Sequence, residues 1–307
     1  MDFSKLSQKQ KTSEGEYHIV KPGITLSIFY SESIETLGTY IADILEDYVN
    51  FIVPNKLETY YASNGTWKQL SGKIFTYTLK ALRSLPEEAT EFYEFHFGQL
   101  PEGSVGAYAA HLKASSLANE KDEPLETNWL LLEFPEDFLN QVSSHEFVQF
   151  VLRTANRRKY NSGISGYAFK QPFFTFEYEA SIAIARMAMR YIGFDLNNDF
   201  IRYEMKDHIY NVSWLNLFGE EIVSALGGVE NIKQQLPRTM EIIETSSGIL
   251  IQIAKFPIIG DVNRKVSDLE PLKQIAAITK TIRVEEADCL NIDDDDSFAE
   301  RWLSRFD

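Results

Sequence analysis

The chain has 307 residues, of which 44% are hydrophobic and 13% aromatic, enough to form one large domain or two closely joined halves. This composition excludes global disorder. The formal net charge of −15 disfavours nucleic acid and anionic membranes as partners and favours basic proteins. The same acidity also serves solubility alone in many proteins.

The single cysteine, Cys289, excludes an internal disulfide and is typical of a reducing compartment. Residues 1–21 contain no apolar signal segment. No apolar run reaches the roughly 18–20 residues that span a bilayer. We therefore expect a cytoplasmic protein without a membrane partner.

The first half of the chain combines predicted helices and strands. Residues 1–21 are polar and indicate a flexible arm, and residues 24–30 follow as a strand. Helices are predicted over residues 34–48, with Ser33 as the cap, and over residues 71–85. Strands are predicted over residues 92–97, 105–112 and 129–134, with a charged loop before the last one.

The second half uses the same kinds of element. Ser143 and Glu146 have capping-box spacing and open a helix, after which Gly163 and Gly166 indicate a break. A nearly all-apolar helix is predicted over residues 179–192, a strand over 209–217, a hairpin over 240–256 and a last helix over 269–280.

Helices and strands do not alternate strictly, which predicts an α+β fold with a mixed, largely antiparallel sheet and packed helices. We expect the arm over residues 1–21, an α+β domain over 22–284 and an acidic tail over 285–307. The domain is predicted to divide into two related halves, about 22–170 and 171–284. In the tail, the spacing of Phe298, Trp302, Leu303 and Phe306 predicts a short amphipathic helix that docks on the body.

Clustered carboxylates are the candidate binding residues for a basic partner. They form a group on the first helix, a group between the second helix and a strand, and a group in the tail: Asp43, Glu46 and Asp47; Glu87, Glu88, Glu91 and Glu94; Asp293, Asp294, Asp295 and Asp296. For each group the alternative is a solvated acidic surface without a partner, which is the commoner role of such clusters.

The sequence contains none of the common catalytic motifs: no phosphate loop, dinucleotide fingerprint, nucleophile elbow or zinc motif. His96 and His111 face each other on adjacent predicted strands and are the one candidate metal pair, without a third ligand. We therefore predict no enzymatic activity, no catalytic residue, no metal and no cofactor. A hydrolase that uses clustered carboxylates is the weakest alternative.

One segment is more distinctive than the rest. Residues 212–219 read VSWLNLFG, Gly227 and Gly228 follow after Leu226, and a Gly-Phe-Asp element begins upstream at Gly193 and ends at Asp195. Trp214 suits a core anchor, and Gly219 suits a sharp turn from strand to helix. Gly227 and Gly228 suit a helix end with positive φ. We interpret these residues as scaffold.

These residues resemble the signature of the TsiV-like type VI secretion immunity family, which confers immunity to VRR-NUC-type nuclease toxins. The resemblance covers about residues 20–284, including the layout of residues 34–48 and 163–167, and departs from the family at Phe218. It implies an immunity protein that binds and neutralises a cognate basic effector, a DNA-cleaving nuclease. The alternative is a cytosolic regulatory or scaffolding module for another basic protein, and a homodimer stays open.

Overall fold

The computed structural model describes residues 2–13, 15–54, 56–85, 93–99, 104–115, 127–173, 177–196, 205, 207–264, 268–284, 295 and 297–307. These residues form eleven β-strands and eight α-helices, which confirms the predicted α+β class. The strands are β1 (Gln8–Thr12), β2 (Gly15–Tyr30), β3 (Thr59–Ala62), β4 (Thr66–Gln69), β5 (Tyr93–Gly98), β6 (Ala109–Ala114), β7 (Asn128–Pro135), β8 (Ser162–Lys170), β9 (Leu215–Gly219), β10 (Glu241–Thr245) and β11 (Gly248–Gln252). The helices are α1 (Ile34–Phe51), α2 (Gly72–Arg83), α3 (Ser144–Ala155), α4 (Glu177–Ala188), α5 (Glu220–Ala225), α6 (Val229–Gln235), α7 (Glu270–Thr279) and α8 (Phe298–Leu303).

All eleven strands belong to one antiparallel sheet with the order β10-β11-β9-β8-β2-β7-β6-β5-β3-β4, and β1 pairs with β2 beside this path. The long strand β2 lies at the centre and pairs with both β7 and β8. Pairing of β8 with β9 carries the sheet across the predicted division near residue 170. That the two halves are related to each other stays a prediction.

The sheet separates two hydrophobic cores because successive strand residues point to opposite faces. On β2, Ile24, Leu26 and Ile28 belong to the core that the sheet forms with α1, α2 and α3. Phe29 points the other way, into the core formed with α4 to α8. We call the two sides the first face and the second face of the sheet.

The helices on the first face are specified locally. Ser143 and Glu146 form the predicted capping box, in which Glu146 N donates to Ser143 Oγ at 3.1 Å and Ser143 N donates to Glu146 Oε2 at 2.8 Å. Gly38 lets α1 approach α2, because an added Cβ would lie under 3.0 Å from the backbone oxygen of Leu82.

The first residues of the chain differ from the predicted flexible arm. Phe3–Leu6 form a 3-10 helix with Leu6 only 2% exposed, and β1 pairs with the start of β2. The side chains of β1 are almost all exposed. Backbone hydrogen bonds hold this strand rather than burial, and therefore the polar composition of residues 8–12 does not reveal it.

Gly163 and Gly166 do not break the chain as predicted, since β8 runs through both. An added Cβ would lie 2.7 Å from the backbone oxygen of Ser27 at Gly163, and under 3.0 Å from Ser213 Oγ at Gly166. These glycines therefore allow close approach to neighbouring segments within a continuous strand.

Two predicted boundaries also shift. Of the strand expected over residues 209–217, only residues 215–217 belong to β9. Before them, Ser213 N donates to Asn216 Oδ1 at 2.9 Å and Asn216 Nδ2 donates to Ser213 O at 2.8 Å, so side-chain bonds replace strand pairing there. The helix expected over residues 179–192 is α4, which ends at Ala188. The chain then turns, and Ile192 N donates to Gly260 O at 3.1 Å.

The C-terminal helix docks on the body, as predicted. Trp302 is fully buried, and its ring centre lies 6.2 Å from that of Tyr210. Arg305 is partly buried, and its guanidinium donates to Ile192 O at 2.8 Å and to Asn211 Oδ1 at 2.6 Å. Residues 297–307 are therefore part of the second core and not an extended tail.

Candidate functional site

The acidic group on α1 is held in ion pairs with two arginines, one at the end of α2 and one just after α3. Arg83, at the end of α2, places Nη2 2.8 Å from Asp43 Oδ1 and 2.7 Å from Glu46 Oε2. Arg157, just after α3, places Nη2 2.5 Å from Asp47 Oδ2. Two guanidinium groups thus offset most of the charge of three carboxylates. This part of the surface is less negative than its sequence indicates.

Much of the acidic sequence lies outside the described residues. Segments 86–92, 116–126 and 285–294 contain twelve Asp or Glu residues and one Lys, so they carry most of the net negative charge of the chain. Six candidate binding residues fall outside the described part of the chain: Glu87, Glu88, Glu91, Asp293, Asp294 and Asp296.

Two of these acidic segments are attached side by side. Tyr93, which follows segment 86–92, pairs across the sheet with Ala114 at the end of β6. Ser115 precedes segment 116–126, and its N–H donates to Asn128 Oδ1, just after that segment, at 2.7 Å. The attachment points of seven acidic residues are therefore neighbours at one end of the sheet.

Asp295 is a described member of the tail group. Its carboxylate accepts hydrogen bonds from Arg301 Nη2 at 2.6 Å and Ser297 Oγ at 3.0 Å. The hydrogen bond from Arg301 is the main reason that its pKa falls to about 2. The carboxylate of Asp295 is thus held at the start of α8.

Glu94 lies beside a buried histidine pair on the second face. Its carboxylate contacts His96 Nε2, and Lys113 Nζ lies 3.8 Å away. His96 and His111 are cross-strand partners, as predicted, and their Nδ1 atoms lie 2.8 Å apart in a hydrogen bond. Burial, and secondly the neighbouring His96, hold the pKa of His111 well below its ordinary value. Among the described residues, no group of three or more His, Cys, Asp or Glu side chains is arranged to hold a metal ion.

The signature residues around β9 make close structural contacts. Trp214 is 1% exposed, and its Nε1 donates to Ala254 O at 2.6 Å. Gly219 ends β9 and caps α5, and its N–H donates to Asn161 O at 2.8 Å. Gly227 and Gly228 have φ values of 84° and 89°, the positive values expected at this helix end. These contacts support the scaffold interpretation.

The upstream signature residues join α4 to the sheet. An added Cβ at Gly193 would lie under 3.0 Å from the backbone oxygen of Ile258. The buried carboxylate of Asp195 accepts hydrogen bonds from the Tyr210 hydroxyl and, at 3.2 Å, from Asn211 Nδ2. Its backbone also bonds to β8, where Asp195 N donates to Tyr167 O at 2.9 Å.

Sequence reasoning missed a buried charged pair at the centre of the sheet. Glu133 on β7 is 3% exposed and Lys170 on β8 is fully buried, with Nζ 3.9 Å from Glu133 Oε2. Burial raises the pKa of Glu133 to about 7 and lowers that of Lys170 to about 8. A glutamate inside the apolar run WLLLEFP is the sequence signal that could have revealed this pair.

Within the described ranges, no helix combines the length and hydropathy needed to cross a membrane.

Comparison with known proteins identifies the family of the chain. The family model described as TsiV, type VI immunity for VRR-NUC, matches residues 35–306. Among solved structures, the Pseudomonas aeruginosa T6SS protein PA0821 is similar with a TM-score of 0.82 and 18% identity, over 98% of this chain and 87% of that chain. This second likeness shows a shared fold. No curated protein matches the sequence. Because the family model covers most of its length, the chain belongs to the TsiV family of type VI immunity proteins.

Proposed function

We propose that this protein binds a VRR-NUC nuclease effector of a type VI secretion system and neutralises it without performing any chemistry itself. The match of residues 35–306 to the family for VRR-NUC immunity carries this proposal. We also propose that the protein acts in the cytoplasm, where a DNA-cleaving effector reaches its target. A homodimer stays a prediction.

The charge distribution supports an acidic contact surface. A nuclease that binds DNA needs basic side chains along its phosphate-binding groove. Carboxylates that approach this groove speed association and compete with phosphate. The proposed contact residues are first Glu87, Glu88 and Glu91, and second Asp293, Asp294 and Asp296. Glu94 and Asp295 rank lower, because their carboxylates are already bonded to His96 and Arg301.

We place the α1 group lower among the proposed contact residues. Arg83 and Arg157 already occupy the carboxylates of Asp43, Glu46 and Asp47. A basic effector would have to displace these guanidinium groups before it could pair with the carboxylates. The difference between the α1 group and the acidic segments gives a matched control for experiments.

The direct test of the function is a DNA-cleavage assay with the purified effector nuclease domain. Increasing amounts of this protein are expected to abolish cleavage at a 1:1 molar ratio, and the association rate is expected to fall steeply as salt rises. Full cleavage at saturating protein would contradict the proposal.

The contact residues are tested with two triple variants that remove the same number of charges. Glu87→Gln/Glu88→Gln/Glu91→Gln is expected to slow association several-fold at low salt. Asp43→Asn/Glu46→Gln/Asp47→Asn is expected to leave the association rate nearly unchanged. Equal effects of the two variants would show that only net charge matters. Asp293→Asn/Asp294→Asn/Asp296→Asn tests the tail group in the same assay.

A further inference from the structure

The strand β10 leaves one edge of the sheet unpaired. Within the described part of the chain, β10 is the terminal strand of the sheet and pairs only with β11. The turn between the two strands has two residues, and Thr245 pairs with Gly248 across it. In such a hairpin the closing pair exchanges hydrogen bonds, and from there every second residue of β10 bonds to β11. The residues between them, Ile242 and Glu244, therefore direct their backbone N–H and C=O groups away from β11.

The side chains of this edge are partly apolar and partly acidic. Ile242 is half-buried and packs against the core on the second face of the sheet, whereas Glu241 and Glu244 are exposed. Lys233 Nζ lies 3.9 Å from Glu244 Oε1 but 2.8 Å from Glu230 Oε1, so it pairs mainly with Glu230. Solvent further screens these exposed pairs. The carboxylate of Glu244 is therefore only weakly neutralised.

An open depression begins where this edge ends. Glu244 and Thr245 of β10 line it together with residues of α5 and of the turn before α6, and its volume is about 690 Å³. Val223 and Val229 supply an apolar part of the lining, and Glu220 supplies a second carboxylate. A lysine or arginine side chain matches both features, because its apolar stem packs on the valines and its cationic group pairs with a carboxylate.

The charges at the edge discriminate between two kinds of strand partner. Another copy of this chain has the same net charge of −15, and it would bring the exposed carboxylates of two β10 strands together, which destabilises pairing. A segment that carries lysine or arginine would instead place opposite charges beside these carboxylates. A nuclease has basic side chains where it binds DNA phosphates.

We infer, on the basis of the immunity function proposed above, that an extended basic segment of the effector pairs with the free edge of β10. Its backbone bonds to the outward N–H and C=O groups of Ile242 and Glu244, as in strand addition to a sheet. One lysine or arginine of the segment enters the depression beside Glu244. Six strands lie between β10 and β5, so this contact is separate from the attachment point of segment 86–92. The acidic segments speed association, whereas the bonds at the edge slow dissociation.

Hydrogen exchange of single backbone amides, followed by NMR, tests this contact with the purified full-length effector. In the free protein, the amides of Ile242 and Glu244 are expected to exchange fast and that of Ile243 slowly, since only Ile243 donates to β11. In the complex, both outward amides are expected to exchange at least about tenfold more slowly. The amides of β4, at the other edge of the sheet, are the control and are expected to stay unchanged.

The exchange rates and the DNA-cleavage assay together distinguish the outcomes. Abolished cleavage without slower exchange at Ile242 and Glu244 would overturn the edge contact and leave the immunity function standing. The glutamates would then only protect the edge from aggregation. Cleavage that persists at saturating protein would overturn both. Slower exchange that appears in the protein alone, as its concentration rises, would show pairing between two copies and would overturn the basic occupant.

Two variants at one position separate the backbone bond from the charge. Glu244→Pro removes the outward N–H together with the carboxylate, and it is expected to speed dissociation of the effector at least about tenfold. Glu244→Gln removes the charge alone and is expected to speed dissociation about two- to threefold. Glu270→Gln, at an exposed position of α7 outside the depression, is the control and is expected to change nothing.

Slow exchange of the Ile243 amide verifies that Glu244→Pro keeps β10 paired with β11. Equal dissociation rates for the proline and the glutamine variant would overturn the backbone contact.

Discussion

Gly219 packs against the backbone of Tyr160 so closely that an added Cβ would lie under 3.0 Å from the Tyr160 carbonyl oxygen. The carbonyl belongs to the segment that leads into β8 and cannot move away as a flexible side chain would. The glycine at the end of β9 is therefore required by the approach of two backbones, whereas its φ of −68° is open to any residue.

The two kinds of signature glycine predict different responses to the same substitution. Gly219→Ala is expected to destabilise the fold by about 2–3 kcal/mol through the backbone clash. Gly228→Ala meets no atom within 4 Å and is expected to cost about 1–2 kcal/mol, through its φ of 89° alone. Urea unfolding of both variants measures the difference. A smaller cost at Gly219 than at Gly228 would show that the segment before β8 can move aside.

The buried pair of Glu133 and Lys170 predicts strongly non-additive energetics. Lys170→Met leaves the Glu133 carboxylate buried without a cation and is expected to cost about 3–5 kcal/mol. In the variant Glu133→Met/Lys170→Met no buried charge remains, so the double variant is expected to be more stable than the single one. Urea unfolding checks the order. A double variant less stable than Lys170→Met would mean that Glu133 stabilises the fold even without the lysine, and that an unpaired buried charge is not the cause of the loss.

The buried histidine pair predicts acid sensitivity. Because the pKa of His111 is well below 6.5 in the folded protein, the unfolded chain binds a proton that the folded chain excludes. Stability is therefore lost as the pH falls through about 6.5, by up to about 1.4 kcal/mol per pH unit. His111→Gln keeps a hydrogen-bonding group beside His96. It is expected to lose the part of the pH dependence of stability that comes from His111.

This effect is measured as the difference in unfolding free energy between wild type and His111→Gln from pH 7 to pH 5. Four other charged side chains lie near the pair: Glu94, Lys113, Lys170 and Glu133. The contribution of Glu133 to stability has the opposite pH dependence, because its pKa is raised to about 7 in the folded protein. Their contributions largely cancel in the difference. If the unfolding free energies of the two proteins changed in parallel with pH, His111 would not be the source of the acid sensitivity.

The docked C-terminus predicts that its last residues stabilise the whole domain. Burial lowers the pKa of Arg305 to about 9, but its guanidinium is still charged at neutral pH and donates to Ile192 O and Asn211 Oδ1. Arg305→Met is expected to cost about 2–4 kcal/mol, because these acceptors lose their donor. Arg301→Met, on the exposed side of α8, is the control and is expected to cost clearly less, because water screens the ion pair of Arg301 with Asp295. Thermal unfolding compares the two variants, and equal losses would argue against the buried contact.

Local patterns were sufficient for much of the fold. The apolar spacing of α1, the capping box of α3 and the alternation of Phe95 and His96 on β5 each depend on residues a few positions apart. The glycines and Trp214 around β9 were enough to recognise the family. The N-terminal strand β1 was not predictable, since its stability comes from hydrogen bonds to another strand and not from its own composition.

The charge distribution was misleading at α1 for a related reason. Asp43 and Asp47 look like an open acidic surface, but Arg83 and Arg157 lie 40 and 110 residues away from them along the chain. Sequence order does not say which helix ends come together. Only the packing of α2 and α3 beside α1 brings these guanidinium groups to the carboxylates.

The sequence by itself determined the class of fold, the family and the overall acidity, because periodicity, turn residues and composition act over short distances or over the whole chain. The tertiary structure alone decided which carboxylates are neutralised and which charged side chains meet inside the sheet. It did so because strand order places β7 and β8 on either side of β2, which brings Glu133 to Lys170. Contacts across a sheet depend on strand pairing, which no local pattern specifies.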